Sequence, residues 1–231
     1  MPGLLDLIVW LCVPLEAMVV VCAYRKGLLR KYFFLNVYMS ASVLVSLVRF
    51  ETLHRYSLLS PQYAYVYYYT DALLTICLFL SLINLFSHVF GELNAEKYVR
   101  FGASLLLAGT ALFSYGVVQQ SGSRLVTHFV VELSQDLYFV GLFLTYVLWA
   151  GILKLRETRT QLVQLVLSLG VYFSLFAANY ASRNLFPSWG YVFQALPPLI
   201  SCFLPLAWAY AFWRIPKEAR LVPTELAVAP R

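Results

Sequence analysis

The chain has 231 residues, of which 61% are hydrophobic and 12% charged, with a mean hydropathy of +0.73 and a formal net charge of +6. Soluble domains carry about 25% charged residues. A single core of this chain length cannot hide so much apolar surface, so a soluble globular protein is excluded and lipid must cover the rest.

A spanning helix needs about 20 mostly apolar residues, and seven runs meet that length. The first, Leu4–Tyr24, has no basic stretch before it and no small-x-small cleavage site, and its positive charges follow it. It reads as an uncleaved span, not a signal peptide. Within it lies Glu16, two residues after Pro14 and near mid-membrane. An intramembrane acid is a functional candidate by default, here as a proton or ion site. The alternative is pairing with a basic group near the inner face, and Asn36 and Asn84 are candidate hydrogen-bond partners. The second run, Tyr32–Phe50, ends at Arg49. The third, Tyr63–Phe90, opens with YAYVYYY and carries Asp71 at membrane depth. The tyrosines suit an aromatic belt at the headgroup layer; a ligand-stacking cluster is the sharper alternative. His88 follows with Glu92 and Glu96 at four-residue spacing, and the two acids read as a solvated helix face.

The fourth run, Phe101–Val118, carries Gly102, Ala103, Ser104, Ala108 and Gly109, small residues of the kind that pack helices in membranes. In the fifth, Leu125–Leu153, His128, Glu132 and Asp136 share one face. Its 29 residues span about 43 Å at 1.5 Å per residue, against about 30 Å of hydrocarbon. The first turns therefore project outward, and Asp136 is the first acid at lipid depth. The sixth run, Leu162–Ala181, holds Asn179 and is followed by Arg183 one turn on; the seventh, Tyr191–Trp213, holds Gln194, Pro197, Pro198 and Pro205. Those prolines make either a packing kink or a hinge beside a substrate site. Residues 1–213 read as one seven-helix membrane domain. Residues 214–231 read as a short basic cytoplasmic tail, too short for a folded effector domain.

Orientation follows from the basic residues. Of the 17, all but Arg49, Arg55, Arg124 and Arg183 fall on one side, which the positive-inside rule assigns to the cytoplasm. The N-terminus is then outside and the C-terminus inside. The same rule, with attraction to anionic lipid, accounts for the net charge without nucleic acid. Arg49, Asp71, Glu132, Asp136, Asn179, Arg183 and Gln194 are expected to converge on an outward-facing polar pocket. They serve there as a small-ligand or ion site, or as ion pairs that tie the outer helix ends together. Cys12, Cys22, Cys77 and Cys202 all lie in apolar runs and read as small packing residues. No metal site is expected, since one histidine with carboxylates, without H-E-x-x-H, is a weak ligand set. Three scattered histidines do not make a bis-His haem, and no P-loop is present. Without a nucleophile–base pair at credible spacing, an enzyme is not expected.

Seven spans with the N-terminus outside fit two plans: a receptor-like bundle, and the three-plus-one-plus-three order of SWEET-type sugar transporters. Arg55 then Pro61-Gln62-Tyr63 before the third run faintly matches Arg183 then Pro187-Ser188-Trp189 before the seventh. The Pro-Gln pair lies in a loop, which departs from that transporter family's helical motif. The last span has no lysine for a retinal Schiff base, unlike microbial rhodopsins. With its Tyr-rich third span and the Arg25-Lys26 to Arg30-Lys31 loop, the chain resembles uncharacterised seven-helix bacterial membrane proteins. That likeness implies no activity. The leading expectation is a receptor- or sensor-like module of the inner membrane, without a cofactor, that binds a small ligand or ion and acts through a separate protein partner. A small transporter or permease is the alternative, and a structural subunit of a larger membrane complex the third reading.

Overall fold

The computed structural model describes residues 2–56, 60–91, 96–120, 125–155, 159–186, 188, 190–216 and 219. Seven helices make up the described chain: α1 (Pro2–Arg25), α2 (Phe33–Arg55), α3 (Pro61–Val89), α4 (Glu96–Gln120), α5 (Leu125–Lys154), α6 (Thr160–Leu185) and α7 (Gly190–Arg214). The expected all-α class stands. Five segments are long and apolar enough to cross a membrane: Phe33–Arg55, Pro61–Val89, Phe101–Gln119, Phe129–Lys154 and Thr160–Arg183. The protein is a multi-pass membrane protein whose surroundings are lipid. Its outward faces agree, since Leu112, Phe113 and Phe143 are each more than 60% exposed on α4 and α5.

Helix ends are set by local chemistry rather than by the apolar windows. Ser60 caps α3 by accepting from the Tyr63 amide at 3.2 Å, with Pro61 in the first turn, where its missing N–H is no loss. At the end of α1, Gly27 takes φ 62°, donating to the Tyr24 carbonyl at 2.9 Å while Leu28 donates to Ala23 at 2.8 Å. This paired closure needs a left-handed residue, which glycine supplies without a Cβ penalty. The turn drives Leu28 and Tyr32 into the core and sends α2 back along α1.

The helices α1, α2, α3, α5, α6 and α7 close into a ring, each packed on the next and α7 on α1, while α4 lies outside against α5 and α3. Three helices of the ring precede α4 in the chain and three follow it. Close approach at the α5–α6 seam depends on Gly141 and Gly170, where an added Cβ would run into the Phe173 ring and the Thr145 methyl.

The connection 26–32, the end of α3, the start of α6 and the end of α7 share one end of the bundle, the basic end. There Lys26 Nζ donates to the Trp213 carbonyl at 2.8 Å. The His88 ring bonds the Lys31 carbonyl, and Arg159 donates to the His88 carbonyl at 2.9 Å. His88 thus joins α3 to the α1–α2 turn and to the start of α6. The acids expected to form a solvated face, Glu92 and the Glu96 side chain, lie outside the described residues. The main core fills this half, with Tyr32, Leu35, Met39, Leu82, Leu85, Trp208 and Phe212 essentially inaccessible.

One expectation about cysteine is overturned. Cys22 and Cys77 are free, but Cys12 and Cys202 form a disulfide, with Cα atoms 5.4 Å apart, within the usual range. Their separation of 190 residues hid the pairing, which exists because α1 packs on α7.

Candidate functional site

The six ring helices enclose a cavity of about 130 Å³. At about 30 Å³ per water, it has room for a few waters or a small organic solute. Its mouth is at the end opposite the basic one, by Phe50 and Leu53 of α2 and Tyr63 of α3. Its floor is formed by Tyr138, Tyr172 and Ser201, all near the middle of their helices.

Glu16 of α1 faces this cavity and is 4% exposed. Its two carboxyl oxygens accept from Ser42 Oγ at 2.6 Å and Ser46 Oγ at 3.4 Å. The serines are one turn apart on α2, so one helix face offers both donors. Asn36, considered as a Glu16 partner, instead donates to the Tyr32 carbonyl at 2.8 Å, and the buried Asn84 amide nitrogen has no partner. Serine at four-residue spacing opposite a buried acid was the missed signal.

Arg49 lines the mouth. Its Nε donates to Thr70 Oγ1 at 2.8 Å and a terminal nitrogen to the Tyr67 carbonyl at 3.1 Å, and its guanidinium stacks 4.3 Å from the Tyr67 ring centre. Asp71 enters the same cavity one turn deeper than Tyr67. Neither Glu16 nor Asp71 forms an ion pair with Arg49, and among the described residues the ion pair is Arg55 with Glu51, exposed and local. Among the described residues, the expected ion pairs between outer helix ends do not form.

Helical geometry splits the tyrosine run of α3. Tyr63 and Tyr67 point into the cavity, while Tyr65 and Tyr69 are exposed to the surroundings. The exposed tyrosines and the cavity-facing ones are thus two faces of the same helix segment. Deeper, the Tyr38 and Tyr172 hydroxyls are 3.4 Å apart, with Tyr138 and Ser201 beside Tyr172. The Tyr138 ring stacks on Phe176, with centroids 4.6 Å apart. On α7, Pro197, Ser201 and Pro205 present one face to the cavity. The helix continues unbroken through them, and Ser201 Oγ donates to the Pro197 carbonyl at 2.8 Å. Below the floor, Trp208 meets Tyr38 edge-on and donates to Ser168 Oγ at 2.9 Å, closing the cavity toward the basic end.

Of the seven residues expected to converge, the structure brings together Arg49 and Asp71 and adds Glu16 to them. Asp136 faces away, accepting from Ser114 Oγ of α4 at 2.7 Å, with Glu132 one turn earlier on α5. Placing α4 outside the ring gave that acid a different neighbour. Asn179 is buried outside the cavity lining with an unpartnered carbonyl oxygen, and Arg183 is exposed. The side chains of His128, Gln194 and Pro198 lie outside the described residues. No cluster of three or more His, Cys, Asp or Glu side chains that could hold a metal ion occurs among the described residues. No family model matches the chain, and neither a curated protein nor a solved structure matches it.

Proposed function

We propose that this protein is a small secondary transporter of the bacterial inner membrane, without enzymatic activity, captured with its cavity open to the outside. The observation that carries the reading is the depth of the cavity: its lining runs from Arg49, near the end of α2, to Glu16 and Tyr172, near the middle of α1 and α6. A transporter binds its solute there, at the interface of its repeats. A receptor needs only an outer pocket, so the reading expected first becomes the second. The three helices before α4 and the three after it would be the two halves that rock about a central site. The basic end, sealed by Trp208, Phe212 and the Lys26 and His88 hydrogen bonds, is the cytosolic side by the positive-inside rule.

Accessibility tests this without knowing the solute. In a chain with Cys22 and Cys77 replaced by serine, Ser46→Cys lines the cavity. A membrane-impermeant thiol reagent should label it from both sides of oriented vesicles. Locking the chain by cross-linking the α1 and α7 ends at Lys26→Cys and Trp213→Cys should abolish labelling from the basic side. Labelling from the outside alone, with and without that lock, refutes transport and favours the receptor reading.

A further inference from the structure

We propose that the solute is a small organic cation, held with its ammonium group against Glu16 and Asp71; this rests on the cavity being a solute site. The described cavity wall carries two carboxyl groups and one guanidinium. That guanidinium is already committed to Thr70, the Tyr67 carbonyl and the Tyr67 ring, and it forms no ion pair with either acid. With both acids ionised, the wall bears a net charge of minus one in a region of low dielectric. Such a region concentrates cations and repels anions.

The rest of the lining decides what kind of cation. Tyr38, Tyr63, Tyr138, Tyr172 and Phe176 give the cavity aromatic faces, which attract ammonium groups and accommodate their carbon. A hard metal ion needs six or more converging oxygens. Among the described residues two carboxyl groups reach this wall, with apolar Met39, Val45 and Leu74 between the polar positions. The cavity volume of about 130 Å³ favours a small solute.

Thermal unfolding of the purified full chain in detergent tests the assignment. The probes are ethylammonium and tetramethylammonium chloride, against sodium acetate and sodium chloride at equal ionic strength. The ammonium salts should raise Tm saturably above the sodium chloride curve, as a ligand of the folded state does. Glu16→Gln and Asp71→Asn should each weaken that effect at least about tenfold, as loss of a desolvated charge contact does. Tyr65→Phe, on the exposed face of α3 away from the cavity, should leave it unchanged. Stabilisation by acetate without stabilisation by ammonium overturns the proposal in favour of an anion at Arg49. No difference among the salts also overturns it, as does ammonium stabilisation that both acid variants leave intact. If Glu16→Gln fails to fold, Asp71→Asn and the salt comparison on the unaltered chain still decide. Two-sided labelling at Ser46→Cys with no ammonium effect would fell the cation assignment alone; an ammonium effect with one-sided labelling would fell transport alone.

Discussion

Ser42 and Ser46 offer a controlled comparison at the buried acid. Both are on α2, one turn apart, and both donate to Glu16, but at 2.6 Å and 3.4 Å. A hydrogen bond to a charged group contributes about 1.5–3 kcal/mol in soluble proteins. In membrane proteins measured couplings average about 0.6 kcal/mol and reach about 1.7, because the unfolded chain in lipid also finds partners. The short, buried Ser42 bond belongs at the top of that membrane range, and the long, partly buried Ser46 bond near the bottom. Ser42→Ala should therefore cost about 1.5 kcal/mol and Ser46→Ala under about 0.5. Reversible unfolding in mixed micelles measures both. A double-mutant cycle of Ser42→Ala with Glu16→Gln should return a coupling of about 1 kcal/mol or more. Equal costs for the two serines, or a Ser42–Glu16 coupling near zero, would refute the assignment of Ser42 as the acid's main partner.

Arg49→Lys removes the forked donors that reach Thr70 and the Tyr67 carbonyl and should cost about 1–2 kcal/mol, whereas the exposed Arg183→Lys should fall within about 0.5 kcal/mol of neutral in the same assay. Gly141→Ala forces the Phe173 ring aside and should cost about 1–3 kcal/mol, while Gly102→Ala on α4, with open space at the Cβ, should be neutral or slightly stabilising. Since Phe173 packs on Tyr138, Gly141→Ala should also slow labelling at Ser46→Cys. Denatured chain prepared without reductant should present two reactive thiols, Cys22 and Cys77, and four after reduction, counted by mass after maleimide treatment; four before reduction would remove the Cys12–Cys202 bond.

The helix count and the lipid environment were legible because each depends on a local property, a long apolar run that water does not tolerate. The candidate site was legible only in part. Asp71 and Asp136 look alike in sequence, each an acid one or two turns inside a span. Yet one opens into the cavity and the other bonds Ser114. The difference lies in which helix stands beside α3 and which beside α5, a matter of long-range packing that hydropathy does not encode.

The sequence by itself determined that seven apolar stretches become helices, that the chain belongs in lipid, and that the basic residues gather at one end. Buried backbone polar groups must bond within each segment, and that requirement is satisfied locally. Tertiary structure alone decided that α4 leaves the ring, that Cys12 meets Cys202, and that Glu16, Arg49 and Asp71 share one tyrosine-lined cavity. Those pairings come from the facing of packed helices, and a rotation of one helix by about 100°, a single residue step, would have chosen other neighbours.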